Sequence, residues 1–189
     1  EEDGNASDHN IVLGDGGEYN NEASDSAYIQ TQSDGIGGED HITVYGGHNV
    51  AMGGFAGDEI EIHGGENVVL GDGGIANYNK NPNAATVNDF INSGRRDVAT
   101  TSDGIGGHDD IDIFGDKNVV MGGADGDNID IAGKDNVAFG DGGRYDIYDD
   151  HRTIKTKSEQ DGGHDVIHTN DGKNIVMGGM DADEITTGD

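Results

Sequence analysis

Apolar and polar residues along this chain fall on a nine-residue beat. Asp40, Asn49, Asp58 and Asn67 stand nine apart, and two positions after each comes a small or branched apolar residue: Ile42, Ala51, Ile60 and Val69. Glycine fills most of the space between. No helix has this period, and glycine at this density disfavours one. The beat predicts short strands joined by tight glycine-rich turns, two strands making one flattened coil of 18 residues. It recurs at Asp109, Asn118, Asp127 and Asn136, followed by Ile111, Val120, Ile129 and Ala138. It recurs again at Asp165, Asn174 and Asp183, followed by Ile167, Val176 and Ile185, while Asn10 with Val12 ends an earlier set. Self-similarity of this kind outranks residue-by-residue assignment. The expected fold is all-β, a parallel β-solenoid.

The two kinds of strand differ in their second face. Alternate residues of a strand point opposite ways. After the Asp positions the inward residues are apolar and their neighbours polar, the pattern of a half-buried strand. After the Asn positions both faces are apolar: Val50 and Met52 flank Ala51, Val68 and Leu70 flank Val69, Val137 and Phe139 flank Ala138. Strands apolar on both faces are normally buried on both. A cover is therefore expected over this sheet. The candidates are inserts that interrupt the beat at roughly residues 18–33, 75–102 and 144–160. Each follows a closing string such as Asn67-Val68-Val69-Leu70-Gly71-Asp72-Gly73-Gly74, and each ends in an alternating run such as Ile154-Lys155-Thr156-Lys157-Ser158. The inserts read as β-hairpins, with Pro82 and the Asn-rich run around it in a loop. Superrepeats fall at about 10–66, 67–135 and 136–189 of one array. The start in mid-pattern, without Met, predicts a segment of something longer.

Charge sharpens this picture. Ten basic residues face 39 acidic ones, for a net charge of −29. Only Lys117, Lys134 and Lys173 lie in the repeating coils. This excludes nucleic acid as a partner. Thirty-five glycines and an apolar share of 31% also suit disorder. Against disorder stands the strict phase kept by acidic and apolar positions together. There is no cysteine, so no disulfide supports the fold. No apolar run approaches the length of a membrane span.

Stacked coils would set like charges together unless a cation lies between them. Residues 18 apart should stack, so Asp40 meets Asp58, Asp109 meets Asp127 and Asp165 meets Asp183. Calcium takes six to eight oxygens at flexible geometry. A glycine-rich turn offers backbone carbonyls and its Asp a carboxylate. These six Asp residues are the expected ligands of several Ca²⁺ ions. Asp72 and Asp141 fall on the same edge one coil later, beside the Asp58 and Asp127 turns, and Asp15, Asp34, Asp103 and Asp161 lie on it at the bases of the inserts; all six are expected as a second tier. Asp favours such turns for local hydrogen bonding as well, but a turn-former has no reason to recur in phase opposite another carboxylate. The other edge carries Asn in every unit, at Asn10, Asn49, Asn67, Asn118, Asn136 and Asn174. An amide can donate to the amide stacked on it, so few or no ions are expected there.

Gly53-Gly54-Phe55-Ala56-Gly57-Asp58-Glu59-Ile60-Glu61 resembles the calcium-binding nonapeptide of the RTX (repeats-in-toxin) β-roll family, G-G-x-G-x-D-x-U-x. The nonapeptides starting at Gly122 and Gly178 resemble it too. All three replace the fourth-position glycine, by Ala56, Asp125 and Asp181. The paired coils interrupted by inserts are most similar to the repeat region of giant RTX adhesins. The resemblance implies a right-handed β-roll that binds calcium, on a bacterial cell surface or secreted, with export by a type I route. The chain is expected to act as a stiff rod or self-associating filament that folds when it meets calcium, with further rolls or identical chains, end-to-end or side-by-side, as partners. The alternative is the non-catalytic roll of a secreted protease, lipase or toxin. An ice-binding face is disfavoured, since the outer positions Glu59, Glu61, Asp110 and Asp130 are too charged. The eight His residues occupy different phases and predict no transition-metal site; His9 and His151 have no evident partner. Acidic pairs are too common to mark a glycosidase. No nucleophile elbow, HExxH or phosphate loop is present, so no catalytic residue is expected.

Overall fold

The computed structural model describes residues 9–20, 26–31, 35–79, 96–101, 104–148, 151–157, 162–170 and 172–188. Among them there are 18 strands in three six-stranded sheets and no helix; nothing described is a helix long and apolar enough to cross a membrane. The Asn-side strands are β1 (Ile11–Leu13), β5 (Val50–Gly54), β7 (Val68–Asp72), β11 (Val119–Gly123), β13 (Val137–Asp141) and β17 (Ile175–Met177), and they form one parallel sheet in that order. The Asp-side strands are β4 (His41–Tyr45), β6 (Glu59–His63), β10 (Asp110–Phe114), β12 (Asn128–Ala132), β16 (Val166–Thr169) and β18 (Glu184–Thr187), also parallel in that order.

Register follows the beat. Ile42 lies against Ile60, Ile111 against Ile129, and Ile167 against Ile185, each 18 apart. Pairing is kept across an insert: Ile60 meets Ile111 and Val69 meets Val120 at a separation of 51. The inserts are looped out without a slip, which would turn every apolar residue to the wrong face.

The insert strands are β2 (Gly17–Asn20), β3 (Ser26–Thr31), β8 (Gly74–Asn79), β9 (Arg96–Thr100), β14 (Gly143–Tyr148) and β15 (His151–Thr156). Within each insert the two strands form an antiparallel hairpin. The returning strands start at Ser26, Arg96 and His151, two or three residues earlier than the alternating runs suggest. Neighbouring hairpins also pair with each other, β3 with β8 and β9 with β14, giving a third sheet that runs the length of the molecule. The insert tips, Pro82 among them, lie outside the described residues.

The Asn-side sheet is the middle of three layers. Its second residues, among them Ala51, Val69, Val120 and Ala138, pack on Ile42, Ile60, Ile111 and Ile129 of the Asp-side sheet. Its outer residues Met52, Leu70, Met121 and Phe139 pack on Ile29, Ala76, Val98 and Tyr145 of the insert sheet and are fully buried. Burial of such side chains contributes about 1.5–3 kcal/mol each. This is why the central strands are apolar throughout. Met177, on the last strand, is only partly buried.

The turns explain the glycines. Ala56, Asp125 and Asp181 have φ of 76°, 64° and 64°, a left-handed conformation that L-residues disfavour by about 1–2 kcal/mol. Glycine at the fourth turn position removes that strain. Ala56→Gly should raise stability by about 1 kcal/mol despite the added freedom of the unfolded chain, read from denaturation in calcium. A destabilised variant would mean that this turn is held by something other than its backbone.

Candidate metal centre

Both edges of the stack are ladders. On the Asn edge each backbone N–H donates to the Oδ1 of the next Asn, from Asn10 to Asn49 (2.7 Å), Asn67 (2.8 Å), Asn118 (2.8 Å), Asn136 (2.7 Å) and Asn174 (2.9 Å). Each Nδ2 donates to the same Oδ1, at 2.9–3.3 Å. The amides satisfy one another, as expected for this edge.

The Asp edge uses the same backbone geometry. Asp40 N–H donates to Asp58 Oδ1 at 2.8 Å, Asp58 to Asp109 at 2.7 Å, Asp109 to Asp127 at 2.8 Å, Asp127 to Asp165 at 2.8 Å and Asp165 to Asp183 at 3.2 Å. The six first-rank Asp residues are thus brought into one row. The second oxygen distinguishes the edges. Where Asn carries an amide donor, Asp carries Oδ2, another acceptor. Oδ2 of Asp40, Asp58, Asp109, Asp127 and Asp165 is buried with no hydrogen-bond partner.

Each of these oxygens is packed against a glycine. A Cβ on Gly53 would strike Asp58 Oδ2 and the carbonyl of Gly71. Gly71 stands likewise between Asp109 Oδ2 and the Gly122 carbonyl, and Gly122 between Asp127 Oδ2 and the Gly140 carbonyl. An acidic oxygen and a neighbouring turn's carbonyl therefore converge beside each of these glycines.

Electrostatics shows the strain in this arrangement. Burial, followed by repulsion from its neighbours, pushes Asp58 up to about 7, against the lowering effect of the hydrogen bond from Asp40. Burial and the nearby Asp72 and Asp58 push Asp109 up to about 9. Burial with Asp109 raises Asp127 well above the usual carboxylate range. Burial raises Asp165 to about 7.

Asp15, Asp72 and Asp141 lie beside the row. Asp15 accepts N–H groups from Gly38 (3.3 Å) and Phe55 (2.6 Å). Asp72 accepts from Gly107 (3.1 Å) and Ala124, and Asp141 from Gly163 (3.0 Å) and Met180. These carboxylates clasp two turns each, a role that the spacing alone does not reveal. Burial pushes Asp72 up to about 8. Asp34, Asp103 and Asp161 lie outside the described residues.

Among the described residues no three His, Asp or Glu side chains form a metal-holding group. A hard ion on the Asp edge would draw on carboxylates and backbone carbonyls together, the donor set calcium takes. The orphaned oxygens fit such an ion. Of the His side chains, that of His108 reaches these turns, its Nδ1 meeting the Gly126 carbonyl. His63 stacks between Tyr45 and Phe114 at 4.7 and 4.9 Å, and His41 reaches Glu59 at 2.9 Å. His9 does have a partner, since its ring stacks on His48 at 5.2 Å. The His151 side chain is outside what the structure describes.

No family model, curated protein or solved structure matches the chain.

Proposed function

We propose that this chain is a calcium-binding right-handed parallel β-roll of 18-residue coils, a structural segment of an extracellular surface adhesin or fibre similar to RTX repeat regions. The observation that carries this reading is the row of five buried Oδ2 atoms without partners. Asp40, Asp58, Asp109, Asp127, Asp165 and Asp183 would hold the ions, with glycine carbonyls of adjacent turns. Asp15, Asp72 and Asp141 would hold the turns in place. Calcium supplies the positive charge that lets stacked carboxylates stay ionised away from water. The rod stiffens as it meets calcium outside the cell, because binding free energy becomes folding free energy.

Calorimetric titration of two variants tests it. Asp127→Ala should weaken calcium binding by more than about tenfold. Glu61→Ala, on the outer face of the Asp-side sheet, should change it by less than about fivefold. Equal losses would assign the affinity to overall charge and remove the edge site.

A further inference from the structure

The outer face of the Asp-side sheet carries one row of stacked rings. Tyr45, His63 and Phe114 stand in register on β4, β6 and β10. Their rings are nearly parallel, with centroids 4.7 and 4.9 Å apart. Contacts of this kind are favourable beyond the area they bury. The row then breaks. The next strand, β12, sets Ala132 beside Phe114. Asn170, just past β16, comes after it, its N–H donating to the Ile131 carbonyl. β10 lies between β6 and β12, so the ring face that Phe114 turns away from His63 is turned toward Ala132. Phe114 is 45% exposed.

A hollow of about 260 Å³ opens at this break, lined by Asp116, Ala132, Gly133, Lys134 and Asn170. Ala132 and Gly133 bring almost no side chain to it. An apolar cavity of about 150 Å³ is enough for benzene, so the hollow has room for one ring and a small substituent. A ring laid over Ala132 would stand one strand step, about 4.8 Å, from Phe114 and another from Asn170. That is the spacing the protein's own rings already keep.

Charge selects the kind of ring. Two residues back along the same strands lie Asp112 and Asp130, in register with Glu61. Burial, then repulsion from Asp130, Glu61, Asp110 and Glu59, raises Asp112 above the usual carboxylate range. The basic groups nearby each have a carboxylate partner. Lys134 Nζ lies 3.8 Å from Asp116, His168 Nδ1 3.4 Å from Asp130 and His63 Nε2 2.9 Å from Glu61. A net charge of −29 adds a field that draws small cations in and turns anions away. A cation also gains from the face of an aromatic ring.

We propose that this hollow binds a small aromatic cation, its ring stacked on Phe114 above Ala132 and its positive group on the side of Asp112 and Asp130. The ligand adds a fourth ring to the row that the chain leaves at three. The site lies at the far end of these strands from the Asp edge and does not depend on the calcium reading.

The test is an NMR titration of the full nitrogen-labelled chain with benzamidine, in millimolar calcium at constant ionic strength, with circular dichroism on the same samples. Amide signals of Ala132, Gly133 and Asn170 should shift saturably, with a Kd of about 1 mM, in keeping with a ligand of so few atoms. Benzoate, the anion of the same shape, should bind at least about tenfold more weakly. Cyclohexylamine, a cation without a flat ring, should bind at least about threefold more weakly. Ala132→Phe sets the chain's own ring in the hollow and should abolish the shifts while keeping the β spectrum. Phe114→Leu should weaken binding at least about threefold. The proposal is overturned if no saturable shift is seen up to about 20 mM benzamidine, well above the expected Kd. Equal binding of benzoate overturns it, as does a folded Ala132→Phe chain that binds like the parent. Should Ala132→Phe lose its β spectrum, Phe114→Leu decides, and undiminished binding there overturns the proposal. Shifts at Glu59, Glu61, Asp110 and Asp112 with none at Ala132 would assign binding to charge alone and overturn it too.

Discussion

Chelation with EDTA at about pH 8 should convert this protein from a β spectrum to a disordered one, since Asp58 and Asp165, raised to about 7, are ionised there. Four Asp-edge carboxyls, Asp58, Asp109, Asp127 and Asp165, are buried, and each has an oxygen without a partner. An uncompensated buried charge costs about 3–5 kcal/mol. A row of them is comparable to the whole of the about 5–15 kcal/mol by which a folded domain is stable. The chain has only ten basic residues against 39 acidic ones with which to offset the row. The Asn edge cannot compensate, being already satisfied internally. Adding calcium back should restore the spectrum. Full β signal in the absence of any divalent ion would sink the calcium reading.

Acid should do part of what calcium is proposed to do. In EDTA, lowering the pH from about 8 to about 5 should return β structure to the soluble chain. The sign follows from the raised folded values. Asp58 and Asp165 stand at about 7 and Asp109 at about 9, against an unfolded value of about 3.9. The metal-free folded state therefore binds more protons than the unfolded one between these limits. Its stability is full below the unfolded value and is lost as pH rises through the folded values. The geometry gives the same answer. A protonated Oδ2 becomes a donor in the place that Nδ2 holds on the Asn edge, and the Asp ladder then copies the Asn ladder. With calcium bound as proposed, the dependence should reverse, since protons would compete with the metal for the same oxygens. Circular dichroism against pH, with and without EDTA, reads both. A metal-free chain that stays disordered from about pH 8 to about pH 4 would show that the row is not the barrier to folding.

The sequence by itself determined which residues form strands and which faces they bury. The nine-residue phase of Ile42, Ala51, Ile60 and Val69 is a local pattern, and strand geometry converts it directly into register. The contrast of Asp with Asn set the two edges apart, because a carboxylate and an amide differ by a donor. The doubly apolar Asn-side strands required a cover, since exposed Met52, Leu70, Met121 and Phe139 would be costly in water. Only the tertiary structure decided what the cover is. Each insert reads as an isolated hairpin, but β3 pairs with β8 and β9 with β14, contacts between segments far apart in the chain that no local period encodes. Only the structure showed Asp15, Asp72 and Asp141 clasping backbone N–H groups of two turns each, because that depends on how the inserts leave the stack. Likewise the stacking of Tyr45, His63 and Phe114 follows from register across strands. The composition gave the charge of the Asp row; the folded backbone decided that its second oxygens lie buried without donors.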